Sequence, residues 1–175
     1  MRVTRRTALA GAAASLALPR VALAEDEKAM NAAALTRSLR VVQATVVSYE
    51  AIANGDLLGR PVETTFRSFL DQERQHATAL GDALDQMGRR QPIPPTRGEI
   101  PGLTSLRTQK QALAFAIDLE RRAISTYYDA TRILKDANAL KTLASIMGCD
   151  GQHVTVLRQL AGRPAVPHAF ETGAA

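Results

Sequence analysis

Two four-residue segments, Glu73-Arg74-Gln75-His76 and Asp150-Gly151-Gln152-His153, each place a histidine three residues after an acid, and they stand 77 residues apart. On a helix, residues three apart share a face, and the first pair shares its face with Phe66, Leu70 and Leu80. A carboxylate or imidazole buried on such an apolar face without partners is costly. The same shift carries Leu70 onto Met147 and Leu80 onto Leu157, so the apolar frame repeats with the polar pair. Of the three histidines in the chain, this pattern uses two. The chain should therefore contain two like units, each bringing an acid–histidine pair to an apolar helical face.

Pro and Gly, confined to a few places, set the limits of those units. From about Glu27 to Asn54 there is neither, and apolar residues recur at helical spacing. "NGDLLGRP" breaks the run, and Pro61 suits the first turn of a second helix reaching about Met87 before Gly88. "GRRQPIPPTRGEIPG" cannot be helical. A third helix is expected from Thr104 or Ser105 to Leu134, then a break at "KDAN" with Asp136 as N-cap, and a fourth helix ending at Gly162-Arg163-Pro164. The short breaks make each pair an antiparallel hairpin. A linker of roughly twenty residues can reach ~60 Å, against helices of ~40 Å, so it can run the length of the bundle and leave helices 2 and 3 parallel. The expected fold is all-α, an antiparallel four-helix bundle of two hairpins, with the domain at 25–162 and an irregular tail at 163–175.

Residues equidistant from the turn of a hairpin lie at one height. Around Lys135, Asp150 pairs with Glu120; around Leu58, Glu73 pairs with Gln43, and Gln43 and Glu120 are again 77 apart. Six polar groups, Gln43, Glu73, His76, Glu120, Asp150 and His153, can thus meet at mid-height of one bundle. This arrangement resembles the ferritin-like di-metal carboxylate superfamily, with one Glu on each of two helices and Glu-x-x-His on each of the other two. The resemblance covers roughly residues 28–162, with the linker as the family's crossover. It implies metal ligation by these six residues: iron or manganese, one or two ions, with carboxylates bridging and imidazoles capping.

The chain departs from the pattern at two positions. Gln43 puts a neutral amide where the family has a charged Glu, and Asp150 is one methylene shorter than Glu. Three acids in place of four should lower affinity or favour a single ion. Glu50, seven residues after Gln43 on the same face, is about 10 Å further along the axis and is read as a neighbouring or separate buried acid. Tyr127, two turns from Glu120, is a candidate for electron transfer. Cys149 is read as a small core residue, His168 as a solvated tail residue, and Arg89, Arg90 and Arg97 as exposed loop.

Residues 1–24 read as a leader. Arg2, Arg5, Arg6 and Arg20 are accompanied by no acid, the apolar run "TALAGAAASLAL" is too short to span a bilayer, and Ala22-Leu23-Ala24 is a small-residue cleavage pattern. The adjacent Arg5 and Arg6 before Ala8 and Leu9 resemble a twin-arginine signal, which exports folded and often metal-loaded proteins to a periplasmic or extracellular address. With the leader set aside, 18 Lys and Arg face 17 Asp and Glu, and no basic block suggests nucleic acid. One cysteine excludes an internal disulfide and a four-cysteine rubredoxin-like iron site.

The expected function is an exported metalloprotein with redox chemistry on oxygen or peroxide. Peroxide reduction, catalase-type disproportionation, ferroxidation and oxygenation of an organic substrate would share such a site. The alternative is a metal-free bundle acting as an extracytoplasmic binding or structural module. Whether the chain forms a homo-oligomer stays open.

Overall fold

The computed structural model describes residues 18–173, with side chains from residue 25 onward. The basic start and most of the apolar run of the expected leader lie outside the described residues. Four helices, α1 (Leu18–Ala53), α2 (Arg60–Gln86), α3 (Gln109–Thr131) and α4 (Ala137–Leu160), form the bundle, and there is no strand among the described residues. No described helix is long and apolar enough to cross a membrane.

Most helix ends follow from local chemistry. Pro61 sits in the first turn of α2, where a missing N–H costs nothing. Gly88, at φ +67°, ends α2 in the left-handed conformation that glycine adopts freely. Asp136 caps α4 by accepting from the Ala139 N–H at 2.7 Å. Two boundaries differ from expectation. α1 is already helical at Leu18, the first described residue, and so extends well before Glu27, because nothing between Arg20 and Glu27 breaks a helix. α3 begins at Gln109, not at Thr104 or Ser105. Those two residues form a 3₁₀ turn with Leu103, Leu106 is extended, and the Thr108 hydroxyl caps the helix by accepting from Gln111 N–H.

Chain direction is set by contacts at the two ends. Gln109, opening α3, accepts from the Gly59 N–H just before α2, at 2.8 Å. Lys135, just past α3, donates its N–H to Asn31, in the first half of α1 and far from the α1–α2 turn, at 2.8 Å. So α2 and α3 run parallel, and residues 87–108 return along the bundle. That crossover is held down along its length. Gln43 Nε2 donates to the Pro92 carbonyl at 3.0 Å, and Ile100 and Leu103 are buried in the core. Gln91 lies where a side chain on Gly81 would be, 2.8 Å from its would-be Cβ, so α2 is bare at that point.

The core is in two halves. One joins Leu35, Leu39 and Val42 to Leu80, Leu84, Tyr127 and Leu143. The other joins Tyr49 and Ile52 to Phe66, Phe69, Leu113, Ile117 and Leu157. Each large side chain so buried contributes roughly 1.5–3 kcal/mol, and with no disulfide this packing is the main source of stability. Every helix passes from one half to the other through a short interval that carries buried polar residues, between Val42 and Tyr49, Leu70 and Leu80, Ile117 and Ala123, and Ile146 and Leu157.

Candidate metal centre

The six residues expected at mid-height fall in those intervals. Glu73, Glu120, Asp150 and His153 are buried to within 2% of complete, and each offers a ligand atom within 4.8 Å of the others. They come from α2, α3 and α4. His153 is central: its Nδ1 is 3.1 Å from Glu120 Oε1 and 3.4 Å from Glu73 Oε1. His76 stands at the edge, its side chain 13% exposed, with Nδ1 3.3 Å from Glu73 and 3.5 Å from Asp150. Gln43 is buried, but its amide nitrogen is engaged by Pro92 and its Oε1 has no partner among the described residues.

Three neighbours were not legible in the sequence as parts of this site. Tyr49 donates its hydroxyl to Glu120 Oε1. Gln72 Oε1 lies 2.6 Å from His153 Nε2, so with that nitrogen protonated Nδ1 is left facing the acids. Phe69 stacks on the His153 ring with centroids 4.0 Å apart. Together Gln72 and Phe69 fix the ring's orientation. A signal for Gln72 did exist, since it falls on Cys149 under the shift of 77.

Other expectations need correction. Glu50 is not a buried acid: it is exposed and paired with Arg74 at 3.2 Å. The buried stripe of α1 keeps one line, with Leu35, Val42 and Tyr49 each seven residues apart, so Tyr49 continues it and reaches Glu120; Gln43 and Glu50 lie at its edge, and Glu50 turns outward. Cys149 is not a core residue. It is half-buried, its Sγ 3.6 Å from His153 Nε2 and 3.8 Å from Gln72 Oε1. Tyr127 is buried, its hydroxyl without a hydrogen bond from the described residues. His168, Arg89, Arg90 and Arg97 are exposed.

Electrostatics sort the groups. Burial raises the Asp150 carboxyl well above the ordinary range, and the charges of Glu120 and Glu73 push it further. Glu120 is also raised, by burial first, against the opposing pull of His153. Burial likewise opposes ionisation of Glu73, but the imidazoles of His153 and His76 outweigh it and hold the group below its usual value. For His153, burial disfavours the charge, yet Glu120 and Glu73 prevail and raise it to about 9. Without a metal, the proton on His153 is thus the positive charge among three acids.

Does this set suit a metal ion? Glu73 Oε1 and Asp150 Oδ1 are met only by the imidazole nitrogens, and Glu73 Oε2, Asp150 Oδ2 and Glu120 Oε2 are buried with no hydrogen-bond partner among the described residues. Orphaned carboxylate oxygens are rare in native interiors, and here one from each of three acids gathers at the same place. Carboxylate and imidazole donors match iron or manganese rather than a thiophilic metal. The residues fit.

A four-helix bundle whose core gathers carboxylates and histidine from three helices defines the class. The chain belongs to the ferritin-like domain family, whose model matches residues 22–163. Two solved structures share the fold. A conserved hypothetical protein, rv2844, from Mycobacterium tuberculosis superposes with a TM-score of 0.71 and 19% identity, over 82% of this chain and 99% of that one. A ferritin-like, diiron-carboxylate protein from Bacillus anthracis str. Ames gives a TM-score of 0.67 and 17% identity, over 77% and 97%. No curated protein matches significantly.

Proposed function

We propose that this chain is a metalloprotein holding one or two iron or manganese ions at mid-bundle and acting on oxygen or peroxide. The observation that carries the reading is the convergence of Glu73, Glu120, Asp150 and His153 within 4.8 Å, with orphaned oxygens. These four residues would hold the ion, with His76 beside them. The name of the Bacillus anthracis structure, a diiron-carboxylate protein, supports the choice of metal class. When bound, such an ion would supply one-electron redox chemistry and a Lewis-acid position for an oxygen ligand.

The chain's own residues have distinct tasks. Gln72 and Phe69 hold the His153 ring so that Nδ1 faces the acids. Tyr49 donates to Glu120, fixing that carboxylate and keeping a phenolic proton at Oε1. The apolar halves above and below exclude water. Loading the site requires His153 to give up the proton it holds to about pH 9, so binding should release protons.

A second reading rests on that same proton. Protonated His153 partly neutralises the acids by itself, which allows a metal-free bundle serving as a binding or structural module. Metal analysis of chelator-free protein, with thermal melts before and after adding iron or manganese, separates the two. One or two ions per chain and a raised melting temperature are expected. No ion and no shift would overturn the proposal in favour of the metal-free module. We further propose export by the twin-arginine route, on the strength of Arg5 and Arg6. Cell fractionation of an Arg5→Lys, Arg6→Lys variant tests it, and unchanged export would overturn it.

A further inference from the structure

The bundle is least tightly closed where α2 meets α4, the two helices that carry the acid–histidine pairs. Along this seam lies a surface groove of about 610 Å³, lined by His76, Gln75, Asn138, Lys141, Thr142 and Ser145, with Ala79 and Ile146 as its apolar wall. His76 belongs to both worlds. It lines the groove, and its Nδ1 is 3.3 Å from Glu73 and 3.5 Å from Asp150. Among the described residues, no other lining side chain is hydrogen-bonded or ion-paired to the acids.

The polarity of this groove is one-sided. Lys141 is its one charged side chain; the other polar groups are neutral amides and hydroxyls, and no carboxylate lines it. A second groove of about 450 Å³ continues along the seam, sharing Ala79, Asn138 and Thr142. Its one acid, Asp136, is engaged in capping α4. A path for divalent cations would need carboxylates along its walls, and this one presents an ammonium instead.

We infer that the groove is the entrance to the centre, that it admits small anions and neutral hydrogen-bonding molecules in preference to cations, and that Lys141 steers them to His76. The inference rests on the proposed metal site. It assigns that site a reactant class, a small oxygen-donor molecule or its anion, and makes the metal a resident ion and not the traffic. A side-chain ammonium on the wall of a groove raises the local concentration of anions, and salt screens the effect.

The test uses azide as the anionic probe on the metal-loaded protein, with metal content measured on every sample. Azide binding is followed by its absorption band with the ferric form. Lys141→Glu should weaken azide roughly 10-fold at low ionic strength, with the difference shrinking at high salt and metal content unchanged. Ser145→Trp, at an exposed position, should slow azide entry without displacing metal. Normal metal content with unchanged azide affinity and entry rate in both variants would overturn the groove assignment alone. Wild-type protein that takes up no metal would overturn it together with the function on which it rests.

Discussion

The two hairpins carry the same pattern and use it differently. In the α3–α4 hairpin, Glu120 and His153 are fully enclosed, 3.1 Å apart, and each is held from behind, by Tyr49 and by Gln72. In the α1–α2 hairpin the counterpart of Glu120 is Gln43, whose amide is engaged by the crossover. The counterpart of His153 is His76, set at the edge and open to the groove. One hairpin thus supplies an enclosed acid–histidine pair, and the other supplies buried Glu73, the residues that brace that pair, and a histidine open to the groove. Sequence repetition sets the level of the residues; what packs against each copy sets its role.

The sharpest way to break this comparison is to delete the two histidines separately. His153→Ala should weaken metal binding by more than about 100-fold, because it removes the central donor whose loss exceeds that of an outer contact. His76→Ala should cost about 10-fold or less and leave some metal bound. Equal losses, measured by metal titration, would mean that the two histidines are equivalent after all. Gln72→Ala comes next. It leaves every donor in place but frees the His153 ring, and should cost roughly 10–100-fold in affinity with helix content unchanged. No loss would show that Phe69 alone holds the ring.

Gln43→Glu asks whether the α1–α2 hairpin can be made like the other. It removes the amide donor to Pro92, at a cost of about 1 kcal/mol without metal, and adds a fourth acid. The expected outcome is more metal per chain and a larger metal-induced rise in melting temperature. Unchanged stoichiometry would mean that the crossover, and not the missing charge, limits that hairpin.

pH tests the enclosed pair in metal-free protein. His153 is raised from its ordinary value to about 9, so the folded chain holds an extra proton. The associated stability is complete below about pH 6.5 and is lost as pH rises through about 9. Glu120 and Asp150, also raised, act in the same direction; Glu73, lowered, acts oppositely and only at acid pH. Melting temperature should therefore fall by several degrees between pH 6.5 and 9.5. Metal-loaded protein, with His153 already deprotonated, should show a much smaller fall. A flat profile without metal would remove His153 from the centre of the charge balance. The smallest effect belongs to His168→Ala, which should change neither metal content nor stability, since the residue is exposed in the tail.

Much of this was legible because it is local or repeated. Helical periodicity, Pro and Gly breaks and the Asp136 cap follow from a few neighbouring residues. The shift of 77 aligned two hairpins and thereby placed Gln43 and Glu120 on one level with the acid–histidine pairs. Glu50 shows where periodicity misleads. Glu50 does return to the face of Gln43 after seven residues, but Gln43 lies at the edge of the buried stripe, whose centre runs through Leu35, Val42 and Tyr49. Gln72 was missed because only the approach of α2 to α4 brings it to His153 Nε2, whereas Cys149 stands one turn before His153 on α4, a neighbour that helical spacing alone supplies.

The sequence by itself determined the number of helices, their breaks and the height of the polar layer, because these depend on residue spacing along one chain. Tertiary structure alone decided which histidine is enclosed, that Gln43 turns to the crossover, that Tyr49 and Gln72 brace the donors, and that the seam at His76 stays open. Those outcomes depend on the distances and rotations between helices, and residue spacing along one helix does not specify them.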